Sequence, residues 1–300
     1  MSVIECSGLN KVYGRTKALN NLSFTIEENK ITGLIGRNGA GKSTLLKIIA
    51  GYLRETSGEI KVFSEKPFNN LMVSANVIYI DDQMNFPTAL TLKEILQVCS
   101  TFYEKWNHDL AGRLFDYFSF QSTYYYNDLS KGMKSTFNMI VGLCTRCALT
   151  MFDEPTTGMD AAVRKDFYRA LLKDYISYPR TILLSSHHLN EIEDFLEDIL
   201  LLKDGREYLH MPIEELKEWA IGIQGLTGKI NEWTENKEVI YSKNIGLDHT
   251  YAVVRNTLSD TEVQQAKAAG LSLKPISSSD VCVYLTRKTK GGIDDVFSED

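Results

Sequence analysis

A glycine-rich stretch near the start of the chain, Gly36-Arg-Asn-Gly-Ala-Gly-Lys-Ser43, constrains the fold more than any other part of the sequence. It follows a short, mostly apolar run at residues 31–35, which is typical of a strand buried on both faces. Residues 43–50 carry apolar side chains at helical spacing, and Gly51 is the kind of residue found just past a helix. A strand, a glycine-rich loop and a helix in this order predict an α/β sheet fold.

The loop fits the pattern G-x-x-x-x-G-K-[ST], the P-loop, which binds the phosphates of a nucleotide. Its glycines let several backbone N–H groups point at one phosphate, and the following helix adds its positive N-terminal end. Lys42 is expected to reach the β- and γ-phosphates, and Ser43 to coordinate Mg²⁺. The sequence therefore predicts ATP and Mg²⁺ as cofactors. The predicted phosphate-binding residues are Gly36, Arg37, Asn38, Gly39, Ala40, Gly41, Lys42, Ser43 and Thr44.

An acidic pair follows a second apolar strand, predicted at residues 149–152, in the sequence Asp153-Glu154-Pro155. Ligands bind open α/β sheets at the carboxyl ends of their strands, so this pair is expected beside the phosphate loop. We expect Asp153 to hold the Mg²⁺ ion and Glu154 to polarise the attacking water as a general base. The competing interpretation is a surface acidic pair without a catalytic role.

The order of predicted elements divides the chain into two parts. Strands and helices alternate over residues 1–210, with a helical insertion at about 88–135, which predicts one nucleotide-binding domain. Residues 211–300 predict a small α+β domain, with its last strand at 281–285 and a polar tail from Lys288.

Composition narrows the choice of partners. The chain has 33 Lys and Arg against 39 Asp and Glu, a net charge of −6, which disfavours nucleic acid as a partner. No run of about 20 apolar residues and no signal sequence is present, so we expect a cytoplasmic chain that needs a partner to associate with a membrane. The five scattered cysteines are expected to be buried small side chains.

Further short motifs lie around these two elements. Leu129-Ser-Lys-Gly-Met133 resembles an LSGGQ signature, and Thr157-Gly-Met-Asp160 resembles a D-loop. Gln83 resembles a Q-loop glutamine, Tyr13 an aromatic residue that stacks on adenine, and His187 a switch histidine. Each motif alone is weak evidence, whereas their order and separations together are specific.

In this order the motifs are similar to those of the ABC transporter ATPase family, over roughly residues 2–210. The resemblance implies a P-loop NTPase with a RecA-like core, an antiparallel β subdomain and a helical insertion. It implies hydrolysis of ATP to ADP and phosphate, which powers a separate transmembrane permease subunit. A second ATPase subunit, in a homo- or heterodimer, is implied as a further partner, and the location is peripheral on the inner face of the cell membrane.

The resemblance also implies roles for individual residues. Tyr13 stacks on adenine, Gln83 contacts Mg²⁺ and the attacking water, and His187 donates a hydrogen bond to the γ-phosphate. His188 is the rival for the last role. In the family, the signature of one subunit contacts the γ-phosphate held by the other. The residues assigned to the nucleotide in the signature and the D-loop are Ser130, Gly132 and Asp160.

Two of these motifs depart from the family pattern. The signature has Lys131 where the family usually has Gly, and Met133 where it usually has Gln. The D-loop has Gly158 and Met159 in place of the commoner Ala and Leu. The Ser hydroxyl and the backbone donor of the signature are retained, so activity is expected. A charged signature favours a different partner or a slower turnover.

Other functions remain open at this point. One is an ABC ATPase that acts without a membrane, for example in iron–sulfur cluster assembly, and another is a regulator that binds nucleotide without hydrolysing it. The second disagrees with the presence of Glu154 and His187. Residues from about 211 weakly resemble the accessory domain of some bacterial exporter-type ATPases, for which a regulatory or dimerising role competes with simple padding.

Overall fold

The computed structural model describes residues 1–287 of the 300-residue chain. The strands are β1 (Ser2–Tyr13), β2 (Thr16–Glu27), β3 (Ile31–Ile35), β4 (Ser57–Val62), β5 (Val77–Ile80), β6 (Leu149–Asp153), β7 (Thr181–Ser186), β8 (Asp198–Lys203), β9 (Arg206–Pro212), β10 (Ala220–Leu226), β11 (Val239–Ile245), β12 (His249–Arg255) and β13 (Ser272–Pro275). The helices are α1 (Lys42–Ile49), α2 (Leu71–Asn76), α3 (Leu92–Phe102), α4 (His108–Tyr117), α5 (Lys131–Cys144), α6 (Ala161–Ser177), α7 (Ile213–Glu218), α8 (Thr227–Thr234), α9 (Asp260–Ala268) and α10 (Ser278–Thr286).

The chain folds into two compact units, Met1–His210 and a second that begins at Met211. A six-stranded sheet in the order β5-β6-β7-β3-β8-β9 forms the centre of the first unit. Strand β3 lies between β7 and β8 and is parallel to both. Every residue of β3, β6 and β7 is buried, which explains their near-continuous apolar sequences. The carboxyl ends of these three neighbouring strands therefore meet at one edge of the sheet.

A smaller antiparallel sheet in the order β2-β1-β4 completes the core on one side. The two long strands β1 and β2 pair along most of their length, with Tyr13 opposite Thr16 at the turn. Alternate side chains such as Leu22 and Ile26 are buried with Leu45 and Ile49 of α1 in one apolar cluster. The phosphate-loop helix is thus held between the two sheets.

Helices α3, α4 and α5 form the helical part between β5 and β6. Thr91 and Glu94 make a reciprocal capping box that begins α3, and the side chain of Asn107 caps α4. Phe137 of α5 is fully buried and contacts Phe86 and other aromatic rings edge-on. This aromatic contact attaches the segment after β5 to helix α5.

The second unit has the order α7-β10-α8-β11-β12-α9-β13-α10, and its sheet runs β11-β12-β10-β13. All of these strand pairs are antiparallel. Together with the order of strands and helices, this pairing gives the split β-α-β topology of ferredoxin-like domains. Residues 281–285 were predicted as a strand, and this prediction is wrong: they lie in helix α10. The Ser277 side chain accepts a hydrogen bond from the Asp280 backbone and begins the helix there. The predicted tail from Lys288 lies outside the described residues.

Candidate active site

The phosphate loop joins the end of β3 to the start of α1. Gly41 has φ 105°, and a Cβ atom there would lie 2.6 Å from the carbonyl oxygen of Ala18, so only glycine fits this position. Lys42 is the first residue of α1 and is only 6% exposed. Its Nζ donates a hydrogen bond of 2.7 Å to the carbonyl oxygen of Gly36. The loop therefore curls around the ammonium group that is predicted to contact phosphate.

Asp153 ends β6 and is held by two hydroxyl groups. The Tyr79 hydroxyl of β5 donates to Asp153 Oδ2 at 2.9 Å, and the Ser185 hydroxyl of β7 donates to Oδ1 at 2.5 Å. Burial, followed by the nearby Asp153 carboxylate, raises the pKa of Tyr79 far above its usual value, so the hydroxyl keeps its proton and remains a donor. One carboxylate is thereby fixed between two neighbouring strands.

Glu154 follows with a backbone φ of 50°, in the left-handed region that few non-glycine residues occupy. Its N–H donates to the Ser185 hydroxyl at 3.0 Å, which stabilises this conformation. Its two carboxylate oxygens lie against different partners: Oε1 is 3.3 Å from Lys42 Nζ, and Oε2 is 2.6 Å from His187 Nδ1. Such local strain is common at functional sites.

His187 lies just past β7, and its ring is close to that of His188, with the two centroids 3.9 Å apart. His187 is the one whose ring nitrogen contacts Glu154. The segment after it is attached to α6, because Arg164 forms an ion pair of 2.6 Å with Glu191. The structure therefore joins the phosphate loop, the acidic pair and the predicted switch histidine through direct contacts.

The signature and the D-loop form a second cluster. The Ser130 hydroxyl caps α5, and the Asp160 carboxylate caps α6. A Cβ atom on Gly132 would lie 2.4 Å from the carbonyl oxygen of Gly158, so the two loops pack backbone to backbone. A shallow cavity of about 240 Å³ lies here and is lined by Ser130, Gly132, Met133, Gly158, Asp160 and neighbouring apolar side chains.

The remaining predicted residues are more exposed. Tyr13 is 46% exposed at the end of β1, with Lys11 Nζ 5.1 Å from its ring centroid. Gln83 is exposed and makes its hydrogen bonds through its backbone, to Asp81 Oδ1 and from Asn85. Arg37, Asn38 and Gly39 at the tip of the phosphate loop are exposed, as is Ser43, while Ala40 is buried and Thr44 half-buried.

The oxygen donors fit the chemistry of Mg²⁺. Ser43 offers a hydroxyl and Asp153 a carboxylate, the hard ligands that Mg²⁺ takes together with phosphate oxygens. Among residues 1–287, no group of three or more His, Cys, Asp or Glu could hold a metal ion on its own. Few protein ligands plus substrate phosphates is the usual arrangement for this ion.

The five cysteines are all buried. Burial raises the pKa of the Cys6 thiol to about 12 and those of Cys99 and Cys147 to about 11. Thiols with such pKa values stay protonated near neutral pH and bind metals poorly. They behave as small apolar side chains, as the sequence predicts.

The contacts of Tyr79 and Ser185 with Asp153 were not predicted from the sequence. Both side chains act on Asp153 from neighbouring strands, and Tyr79 is 74 positions away from it along the chain. The available signal was a tyrosine in an otherwise apolar strand, since a buried phenol needs a hydrogen-bond partner. The partner itself depends on strand order, which the local sequence does not reveal.

These features define the class of the protein as a P-loop NTPase. A strand–loop–helix phosphate site and a strand that ends in acidic residues lie at the same edge of a sheet of parallel strands. A family model described as ABC transporter matches residues 19–157. The chain is 32% identical over 222 residues to the ABC transporter ATP-binding protein YtrB of Bacillus subtilis, covering 74% of this chain and 76% of that protein. It is 27% identical to the bacitracin transport ATP-binding protein BcrA of Bacillus licheniformis, with 72% of each chain covered.

Among solved structures, a dimeric ATP-binding cassette in a post-hydrolysis state with ADP and phosphate superposes with a TM-score of 0.62 and 21% identity, covering 70% of this chain and 98% of that one. The chain belongs to the family of ABC transporter ATP-binding proteins. It is the ATP-binding and ATP-hydrolysing subunit of an ABC transporter, which confirms the predicted function and the predicted α/β P-loop fold. No helix within residues 1–287 is long and apolar enough to span a membrane.

Proposed function

We propose that this chain hydrolyses Mg²⁺-ATP with Glu154 as the general base and with Lys42 and His187 beside it. The observation that carries the proposal is the position of the Glu154 carboxylate, one oxygen against Lys42 Nζ at 3.3 Å and the other against His187 Nδ1 at 2.6 Å. A base of this kind must lie within hydrogen-bond reach of the water that it activates. The strained backbone of Glu154 points its side chain at that place.

Ser43 and Asp153 are the residues that would hold Mg²⁺, which supplies charge neutralisation at the phosphates when it is bound. Asp153 is suited to this because Tyr79 and Ser185 fix its orientation in advance. Gln83 is proposed to approach the same place, and Tyr13 to stack on adenine from its exposed position at the end of β1.

Lys42 has two tasks that compete. Its ammonium group lies against the Gly36 carbonyl oxygen and the Glu154 carboxylate. A polyphosphate in the loop offers more negative charge than one carboxylate, so it draws the ammonium group away from Glu154. Glu154 then keeps His187 as its neighbour and is free to accept a proton from water. Nucleotide binding thereby converts a neutralised carboxylate into an available base.

The second cluster is proposed to serve another ATPase subunit. Ser130, Gly132 and Asp160 line a shallow cavity that contains no residue of the phosphate loop. One chain therefore carries two incomplete sites, and two chains placed face to face complete both. The dimeric solved cassette supports this arrangement. Closure on ATP and release after hydrolysis would then drive a transmembrane permease, through which the chain associates with the membrane.

The domain limits are part of the proposal. Residues 1–210, with the helical part at about 88–135, form the ATPase domain, and residues from 211 form an accessory domain. The division of the chain at Met211 supports this. A role for the accessory domain in regulation or dimerisation is proposed, and removal of residues after Leu209 tests it through the ATPase rate and the dimerisation constant.

The main test is Glu154→Gln, which keeps the size of the side chain and removes the base. We expect the ATPase rate to fall by about 10²–10⁴-fold, while ATP binding persists and ATP traps a dimer visible by sedimentation. Glu104→Gln, an exposed acid in the helical part, is the control and should match the wild-type chain. A Glu154→Gln chain that hydrolyses ATP at the wild-type rate would refute the assignment of the base.

A further inference from the structure

We propose that Lys131 binds the phosphates of a nucleotide held by the partner chain, and that its ammonium group pairs with Asp82 until the dimer closes. The proposal rests on the proposed function, in which the signature of one chain completes the nucleotide site of another. Lys131 is also where the signature departs from the family pattern, so its contacts show what this departure does.

The stem of Lys131 lies across the D-loop. A Cβ atom on Gly158 would lie 3.1 Å from Lys131 Cγ and 3.4 Å from Cδ, so the stem would be in tight contact with a side chain at position 158. Gly158 also has φ 82°, which suits glycine. Two of the departures from the family pattern, Lys131 and Gly158, are therefore in contact, and the glycine in the D-loop leaves room for the lysine in the signature.

The ammonium group of Lys131 ends beside the segment that carries Gln83. Its Nζ lies 3.8 Å from Asp82 Oδ2, beyond hydrogen-bond distance, and the side chains are 61% and 50% exposed. A solvent-exposed ion pair of this length is weak, because water and salt screen it. Asp82 therefore orients the ammonium group without binding it firmly, and a stronger anion can displace it.

A nucleotide held by a partner chain is such an anion. Lys131 directly follows Ser130, so their Cα atoms are about 3.8 Å apart. If the Ser130 hydroxyl reaches the γ-phosphate of the partner's ATP, the flexible lysine stem places its ammonium group within reach of the same phosphates. Lys131 exchanges one carboxylate for a polyphosphate, and this exchange favours the closed dimer over the separate chains.

The two members of the ion pair should consequently have opposite effects. Lys131→Met keeps the stem over Gly158 and removes the charge, so ATP-induced dimerisation should weaken by about fivefold or more and depend less on salt. Asp82→Asn removes only the competitor, so dimerisation should become tighter. Lys131→Arg keeps the charge, so the variant should dimerise as tightly as the chain that retains Lys131.

The experiment measures dimerisation constants by sedimentation at saturating Mg²⁺-ATP, at low and at high salt, with Glu154→Gln as the non-hydrolysing reference. Lys93→Met, an exposed lysine on α3, controls for the loss of one positive charge. Equal weakening by Lys131→Met and Asp82→Asn would overturn the proposal, because the pair would then be purely structural. So would a Lys131→Met chain with an unchanged constant and salt dependence. If the reference itself forms no ATP-induced dimer, the proposed function fails first, and this proposal with it.

Discussion

The two halves of the proposed nucleotide site differ in how completely they are built. In the first half, Glu154 contacts buried Lys42 at 3.3 Å and exposed His187 at 2.6 Å. Buried Asp153, the preceding residue, is held by Tyr79 of β5 and Ser185 of β7 at 2.9 and 2.5 Å. In the second half, the polar side chains mainly cap their own helices and border a shallow cavity. The first half is preorganised within one chain, whereas the second presents an incomplete surface.

This difference indicates what holds the side chains of each half in place, either contacts within the chain or a ligand from another chain. Buried charges are costly unless they are paired, so the first half must be satisfied before nucleotide arrives. Exposed groups at helix N-termini are solvated and can wait for a ligand that another chain brings. Substitutions in the first half should therefore act on chemistry, and those in the second half on dimerisation.

After Glu154→Gln, the largest effect is expected at Lys42. Lys42→Met removes the only ammonium group that contacts Glu154 among the described ion pairs, and it removes the predicted phosphate contact. The ATPase rate should fall by about 10²–10³-fold, and ATP affinity should fall with it. Lys61→Met, a half-exposed lysine of β4 that pairs with Glu59, is the matched control. Lys42→Met with normal nucleotide binding and turnover would mean that the first half is not the catalytic half.

A smaller effect is expected at Tyr79. Tyr79→Phe removes the hydroxyl that fixes Asp153 and leaves the ring in place. Losing a hydrogen bond to a charged group costs about 1.5–3 kcal/mol, so we expect the ATPase rate to fall by about tenfold or more and the Mg²⁺ concentration for half-maximal activity to rise. The comparison is made from a Mg²⁺ titration of the steady-state rate.

Tyr117→Phe is a close control for this change. Tyr117 also donates to a carboxylate, Asp166 Oδ2 at 2.7 Å, but it does so on the exposed surface between α4 and α6. Its loss should leave both the rate and the Mg²⁺ dependence unchanged. An equal change in the two variants would show that the Tyr79 hydroxyl acts on general stability and not on the Asp153 carboxylate.

The sequence predicted the residues of the first half better than the contacts that hold them in place. The phosphate loop is a local pattern, and a strand before it with a helix after it is readable from residues 31–50 alone. The Tyr79 contact depends on β5 lying next to β6, which is a property of the whole sheet. Local signals can also conflict: the apolar run at 281–285 resembles a strand, but Ser277 and Asp280 three positions later form a helix-start pattern that prevails.

The smallest effect is expected at Gly158. Gly158→Ala places a methyl group against the Lys131 stem and strains a backbone at φ 82°, by about 1 kcal/mol. We expect ATP-induced dimerisation to weaken by a few fold, with ATP binding by the separate chain unchanged. Sedimentation and nucleotide titration of the same preparation measure both quantities.

The double variant Lys131→Gly, Gly158→Ala separates the two causes of that loss. Removing the lysine stem clears the space for the methyl group, so the part of the defect caused by crowding should disappear, while the backbone strain at position 158 and the loss of the Lys131 charge remain. The effects of two substitutions in contact should therefore not add, and their coupling measures the contact. Strictly additive effects would show that Lys131 and Gly158 act independently, and that the incomplete half of the site owes nothing to their proximity.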